Sequence, residues 1–273
     1  MITIDLDGDR VPALGFGTWR LDGAACRRAV RHALDLGYRH IDTAQAYENE
    51  ADVGAALHAS GIDRERLWLT TKVWYDNLRA DAVRRTTDAS LRRLRTDYVD
   101  LLLVHWPNDD VPLAETLGAF QEVREAGKAR HIGVSNFPAG LLREALEIAP
   151  GLVNDQVEYH PYLSQERLLG VVRERGLFLT AYSPIARGEV TDDAILREIA
   201  EAHGKSPIQV TIRWHLQQDR VACIPKSGTP EHIAANVDVF DFELSEAEMA
   251  RIHGLARPDG RMIDPDFAPD WER

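Results

Sequence analysis

Cysteine is scarce in this chain: 273 residues hold two, Cys26 and Cys223, far apart and in no metal-type spacing. Free thiols in a reducing compartment are the simplest reading. Positive charge is in deficit, with 32 Lys and Arg against 44 Asp and Glu and a formal net charge of −12. That balance argues against broad nucleic-acid binding and against docking on an anionic membrane, although a local site on an acidic protein can still be positive. No segment has the apolar length needed to span a bilayer. The start, "MITIDLDGDRVPALG", is charged early and lacks an apolar core of signal-peptide length, so the expectation is a cytoplasmic protein. A glycine-rich dinucleotide turn is also missing. "GFGTWR" comes nearest, but it lacks the third glycine and the helix opening. Nor is there a His-x-His pair or a carboxylate cluster at the strand ends. This weighs against a metal-dependent hydrolase built on His105 and His160, and no metal is expected.

What is present is ordinary for a globular chain: 44% hydrophobic and 28% charged residues, enough to bury a full core. After an opening hairpin ("ITIDLDGDRV", with Asp7-Gly8 as the turn) the chain alternates strand-like and helix-like pieces. The strand candidates are Leu14–Gly17, His40–Asp42, Leu67–Lys72, Val99–His105, Ala129–Ser135, Val153–Glu158, Phe178–Ser183 and Val221–Pro225. Most are continuously apolar, as in strands covered on both faces. Helical patterns include 23–36, 49–60, 79–94, 112–126 and 166–175, with an extra one over 191–204 before the last strand. No linker divides the chain. Eight βα units predict a single-domain α/β fold over 1–273, a (β/α)8 TIM barrel with an N-terminal hairpin and extra helical segments; a doubly wound open sheet is the runner-up.

Barrel active sites are built at the C-terminal ends of the strands. There the sequence delivers Asp42 and Tyr47, then Lys72, His105, Ser135 with Asn136, Gln156, Tyr182 with Ser183, and Lys226 with Ser227. Each residue alone has a bland role. His105 could be a hydrogen-bonded core histidine, Lys72 could snorkel to solvent, Asp42 could satisfy loop amides, and Tyr47 could anchor a helix start. Together they gather a phenol, an amine, a carboxylate and an imidazole on three successive strand ends. A buried Lys would stabilise the phenolate, and the Asp would keep that Lys charged. The expected effect is a phenol tuned downward from about 10, as proton transfer to a carbonyl oxygen requires. The following "ENEADVG" reads as a solvated helix start, with Asn49 or Glu48 near the cap. His160 in "EYHPY" reads as structural.

The segments "GFGTW", "GYRHIDTAQAYENEADVG", "LTTKVW", "RLRTDYVDLLLVHWP", "GKARHIGVSNF", "NDQVEYHPY", "AYSPIARG" and "CIPKSGTPEHIAANVDVFDFEL" resemble the aldo-keto reductase family along essentially the whole chain. With its short tail "DPDFAPDWER", the sequence looks most like the compact bacterial 2,5-diketo-D-gluconate reductase type. The resemblance implies NADPH-dependent reduction of aldehydes and ketones, with the catalytic tetrad on Asp42, Tyr47, Lys72 and His105. Tyr47 would be the proton donor, tuned by Lys72 and Asp42, and His105 would orient the carbonyl. The nicotinamide would meet Ser135, Asn136 and Gln156 and stack on Tyr182, and Thr18 and Trp19 would also contact the cofactor. Ser183, Pro184, Ile185 and Gly188 would follow the pyrophosphate. Lys226, Ser227, Gly228, Thr229, His232 and Asn236 would receive the adenosine end. The family's common habit is a monomer.

One departure stands out. Where the family commonly carries a phosphate-gripping Arg, this chain has His232, and Ala235 replaces an acidic residue near the adenine. Histidine lacks the permanent bidentate grip of arginine, so a weakened NADPH preference with NADH as an alternative is expected. Trp19, Tyr47, Trp74, His105 and Trp106 are the candidate substrate-binding residues, and half of the six tryptophans would wall one cleft. Such a cleft suits small aldehydes, methylglyoxal-like ketoaldehydes and diketo sugars. The competing function is a cofactor-binding sensor or structural subunit of the same fold without significant turnover; the complete tetrad speaks against it.

Overall fold

The computed structural model describes residues 2–6 and 8–273. Strands β1 (Thr3–Leu6) and β2 (Asp9–Pro12) form the antiparallel hairpin, in register from Thr3↔Pro12 to Leu6↔Asp9. Of the expected turn, Asp7 lies outside the described residues, and Gly8 adopts φ 97°, a conformation that favours glycine.

The chain then runs β3 (Phe16–Gly17), α1 (Gly23–Asp35), β4 (His40–Asp42), α2 (Glu50–Ser60), β5 (Trp68–Val73), α3 (Ala80–Leu94), β6 (Val99–Val104) and α4 (Leu113–Glu125). It continues through β7 (Ala129–Ser135), α5 (Ala139–Ile148), β8 (Leu152–Glu158), α6 (Glu166–Glu174) and β9 (Phe178–Tyr182). Helices α7 (Ala194–His203) and α8 (Pro207–Leu216), strand β10 (Val221–Cys223), α9 (Pro230–Val237) and α10 (Glu246–His253) complete it. The eight strands β3 to β10 pair in sequence order, all parallel. The sheet is closed on itself by Cys223 N–H donating to Ala13 O (2.8 Å), Gly15 N–H to Cys223 O (2.9 Å) and Gly17 N–H to Pro225 O (3.2 Å). This is the (β/α)8 barrel that the alternation predicts. Helix α7 is the expected extra segment, and α5, α8, α9 and α10 join the helices the sequence patterns single out.

The helices follow from periodicity. In α1, Cys26, Ala29, Val30, Ala33 and Leu34 are buried at helical spacing, and Gly37 at φ 97° ends the run. Where α2 meets α3, a side chain at Gly54 would come within 2.5 Å of the Arg93 carbonyl, so only glycine permits this approach. The hairpin seals the N-terminal mouth of the barrel: His40 Nδ1 lies 3.0 Å from Pro12 O, and Asp9 takes Arg130 at 2.5 Å and His131 at 2.7 Å. With that end stoppered, the opposite mouth is left for chemistry.

The acidic start of α2 differs from its expected solvated state. Glu50 is buried and binds Arg93 (2.6 Å) and Thr71 Oγ (2.6 Å), while Asp52 accepts the Gly23 N–H at 2.9 Å. Asn49 sits at the cap position without capping. Its amide instead donates to Thr18 O and Leu21 O, both at 2.8 Å, and its oxygen accepts from Thr43 at 2.7 Å. Asn49 therefore staples the loop after β3 to the one after β4. Local sequence shows charge but not the distant partners that neutralise it. Among the described residues, no helix is long and apolar enough to cross a membrane.

Candidate active site

Strand β4 ends at Asp42, and a single 3-10 turn over Gln45–Tyr47 swings the Tyr47 ring back towards the barrel axis. Lys72 on β5 points inward, fully enclosed. Its Nζ lies 2.6 Å from Asp42 Oδ1, 2.9 Å from Thr43 O and 3.3 Å from the Tyr47 hydroxyl. Gln156 on β8 donates to the other Asp42 oxygen at 2.7 Å. His105, just past β6, faces the edge of Tyr47 with ring centroids 5.7 Å apart. The four tetrad candidates therefore meet at one point.

Electrostatics follows from this enclosure. Burial pulls the Lys72 amine down, but the Asp42 carboxylate and Tyr47 outweigh it and hold Lys72 above its ordinary value. His105 is pushed well below the usual histidine range by burial and by the Lys72 charge, so it is a neutral imidazole at working pH. The Tyr47 phenol corrects the expectation of downward tuning. Burial raises it, the Lys72 charge opposes, Asp42 adds to the rise, and the net shift is upward. Tyr47 still has part of its surface open to the cleft, so solvent tempers the burial effect. Tyr47 is therefore a protonated phenol with an ammonium at its oxygen, ready to donate rather than already ionised.

A cleft of about 890 Å³ opens on this point. Of the predicted residues, Asp42, Tyr47 and His105 line it, as do Thr18, Trp19, Ser135, Asn136, Gln156, Tyr182, Ser183, Pro184, Ile185 and Lys226. Trp74 and Trp106 form its aromatic wall. Lys72 stands behind the lining, and Gly188, Ser227, Gly228, Thr229, His232 and Asn236 lie outside it. Thr229 precedes α9, His232 is exposed on its first turn, and Asn236 is buried near its end.

The floor is hydrogen-bonded into place. Ser135 Oγ donates to Gln156 O (2.7 Å), Asn136 Nδ2 to His105 O (2.9 Å), and the Tyr182 hydroxyl to Asn136 Oδ1 (2.7 Å). Backbone in the left-handed region gathers here in residues other than glycine: Asn136 (φ 64°), Ser183 (47°), Ala186 (44°) and Arg187 (54°). Such conformations are kept where the surroundings over-determine them, commonly at ligand clamps. Buried His215 on α8 places Nε2 3.1 Å from Pro184 O, and burial pulls its imidazole to about 3, so this tether does not titrate at neutral pH. His160 bonds Glu158 at 3.0 Å and does not line the cleft.

Several lining residues escaped the sequence reading. Gln45 accepts from Trp74 N–H at 3.1 Å, and Ile263 and Phe267 come from the C-terminal tail, whereas Arg187, within the expected 183–188 pyrophosphate span, lies 5.9 Å from the Trp19 ring. The tail's signal was its Pro and Phe in "DPDFAPDW", which only a folded barrel brings to the mouth.

Comparison with known proteins agrees with this geometry. The model of the Aldo/keto reductase family matches residues 13–257. The chain belongs to the aldo/keto reductase family. A crystal structure assigned to a 2,5-diketo-D-gluconic acid reductase B superposes with a TM-score of 0.97 at 49% identity, covering 99% of this chain and 97% of that one. Methylglyoxal reductase DkgB of Escherichia coli is 37% identical over 96% of this chain and 99% of its own length. A mutant of Gox0644 crystallised with NADPH has a TM-score of 0.89 at 35% identity, covering 97% and 96% of the two chains. The aldo/keto reductase described here places its polar strand-end residues around one barrel mouth.

Proposed function

We propose that this aldo/keto reductase reduces aldehydes and ketones to alcohols, using NADPH as hydride source and Tyr47 as general acid. The observation that carries the reading is the enclosed Lys72 ammonium between Asp42 Oδ1 (2.6 Å) and the Tyr47 hydroxyl (3.3 Å), beside a neutral His105. A nicotinamide cofactor suits the residues present. Ser135, Asn136 and Gln156 offer amide and hydroxyl groups at one end of the cleft, and Tyr182 offers a flat ring held by Asn136. The left-handed run through Ala186 and Arg187 turns the backbone along the cleft, and Arg187 and Lys226 supply cations for phosphate on an otherwise acidic protein. Ser227, Gly228 and Thr229 lead to the N-terminus of α9, an end that favours anions. Asn236 would contact the adenine side.

A bound reduced nicotinamide supplies the hydride for the carbonyl carbon. The chain's own part is to hold that carbonyl with His105 and to pass the Tyr47 proton to the oxygen as negative charge develops. Lys72 then stabilises the phenolate left behind, and Asp42 keeps Lys72 charged. The aromatic wall of Trp19, Trp74 and Trp106 excludes water and fits small aldehydes, ketoaldehydes such as methylglyoxal, and diketo sugars. We take the protein as a cytoplasmic single-domain monomer. His232, exposed and without the two-pronged guanidinium of arginine, weakens the phosphate grip and admits NADH.

The test is consumption of reduced nicotinamide with methylglyoxal or a nitrobenzaldehyde by wild type and Tyr47→Phe. The variant is expected to lose on the order of 10²-fold or more in kcat with its fold intact. Near-wild-type turnover by Tyr47→Phe would remove Tyr47 from the role.

A further inference from the structure

Glu158, the last residue of β8, is wholly buried, yet the mechanism above gives it no task. A carboxylate is not enclosed without partners that repay its lost hydration. Its partners are on the C-terminal tail. Oε1 accepts the Met262 N–H at 2.8 Å, Oε2 accepts the Ile263 N–H at 3.0 Å, and the Arg261 guanidinium stands 3.9 Å from Oε2. His160 adds a contact at 3.0 Å to Oε1 from the barrel side. Both oxygens are thus directed at consecutive backbone amides of one segment.

That segment is cleft wall. Ile263, Pro265 and Phe267 line the cavity, and the Phe267 ring packs against Tyr75 (4.9 Å), Trp106 (5.5 Å) and Trp74 (6.0 Å). The tail enters through Gly260, where any side chain would strike the Tyr162 carbonyl. Its far end is held by Gly140 N–H donating to Arg273 O (3.0 Å) and by exposed pairs, Arg273–Glu144 and Arg167–Glu272. Exposed pairs contribute little. Among the described residues, the one charged side chain fully out of water that grips the tail belongs to Glu158, two residues along β8 from the Gln156 that bonds Asp42.

We infer that Glu158 is a positioning residue: it fixes the C-terminal tail so that Phe267 closes the substrate cleft, and thereby sets the preference for carbonyl substrates carrying an aromatic group. The inference rests on the reductase reading for its substrate side. Glu158 does not touch the reacting atoms. Its effect falls on substrates that reach Phe267 and spares those too small to do so.

Glu158→Gln keeps the shape but turns one acceptor into a donor facing a tail N–H. Two readouts separate this from a general weakening. The first is hydrogen exchange at the Met262 and Ile263 amides, which needs no turnover. Loss of a bond to a charged group is expected to speed exchange there on the order of tenfold or more, with barrel strands unaffected. The second is the ratio of kcat/KM for a nitrobenzaldehyde to that for methylglyoxal. It should fall by about tenfold in Glu158→Gln and in Phe267→Ala, with the double variant no worse than either and NADPH affinity unchanged. Unchanged amide protection, or equal loss on both substrates, or additive effects of the two substitutions, would overturn the inference. If Glu158→Gln does not fold, Met262→Pro removes one of the paired N–H groups from the tail side and should produce the same fall in ratio. A wild type idle on both substrates while the exchange result holds would refute the reductase reading and leave the tether standing.

Discussion

Lys72 Nζ lies 2.6 Å from Asp42 Oδ1 with both side chains sealed from solvent, so the charge just behind the cleft lining is provided in advance by a pair that water cannot screen. Removing one member strands the other. Lys72→Met is expected to cost about 3–5 kcal/mol of stability by leaving a buried carboxylate unpaired. Urea unfolding measures this, and activity should fall along with it. A Lys72→Met protein as stable as wild type would mean that Asp42 finds another cation.

The pH profile follows from the directions of the shifts. A general acid works while it holds its proton, and burial raises Tyr47 above the ordinary phenol. His105 is held well below the usual histidine range by burial and by the Lys72 charge. The rate of carbonyl reduction should therefore be flat through the neutral range and decline only on the alkaline side. Single-turnover rates against pH would show this. A histidine-like limb near pH ~6.5 that vanishes in His105→Gln would contradict it.

Asp155 offers a stability prediction outside the site. It is fully buried on β8, and its oxygens have no hydrogen-bond partner. Burial raises the carboxyl well above its ordinary value, and the Phe137 backbone opposes this only in part. A folded-state value above the unfolded one means that stability is complete below about pH 3.9 and is lost as pH rises towards the folded value. Asp155→Asn, which needs no proton, should gain on wild type progressively above about pH 4 in thermal unfolding. A gap that narrows with rising pH would show that the carboxylate has a partner.

His232→Arg should restore a bidentate phosphate grip at the start of α9. The ratio of kcat/KM for NADPH over NADH is expected to rise roughly 10- to 100-fold, the worth of a charge-assisted contact. In wild type the same ratio is expected to be small, because an imidazole lacks the two-pronged guanidinium grip. A large NADPH preference in wild type that His232→Arg leaves unchanged would sink the idea.

Much of the barrel was legible in the sequence. His40–Asp42 and Ala129–Ser135 match the observed strands, and the other strand limits moved by a residue or two, where backbone pairing between neighbouring strands fades into loops. "HIDTAQAY" placed Asp42 and Tyr47, and "LTTKVW" and "LLLVHW" placed Lys72 and His105 on adjacent strands, because strand-end position and side-chain chemistry are local properties. Glu50 reads as a solvated acid from sequence and is a buried partner of Arg93, since nothing local announces a residue more than forty positions away. Phe267 lines the cleft at the end of a tail whose Met262 amide bonds Glu158, over a hundred residues earlier, and nothing local announces that either.

Sequence alone thus determined the eight-fold alternation, the strand ends and the set of polar side chains that meet there. The tertiary structure decided their protonation and their walls. Whether Tyr47 is pulled down or pushed up depends on how much water is excluded against how near Lys72 comes, and those two quantities exist only when β4, β5 and β6 lie side by side.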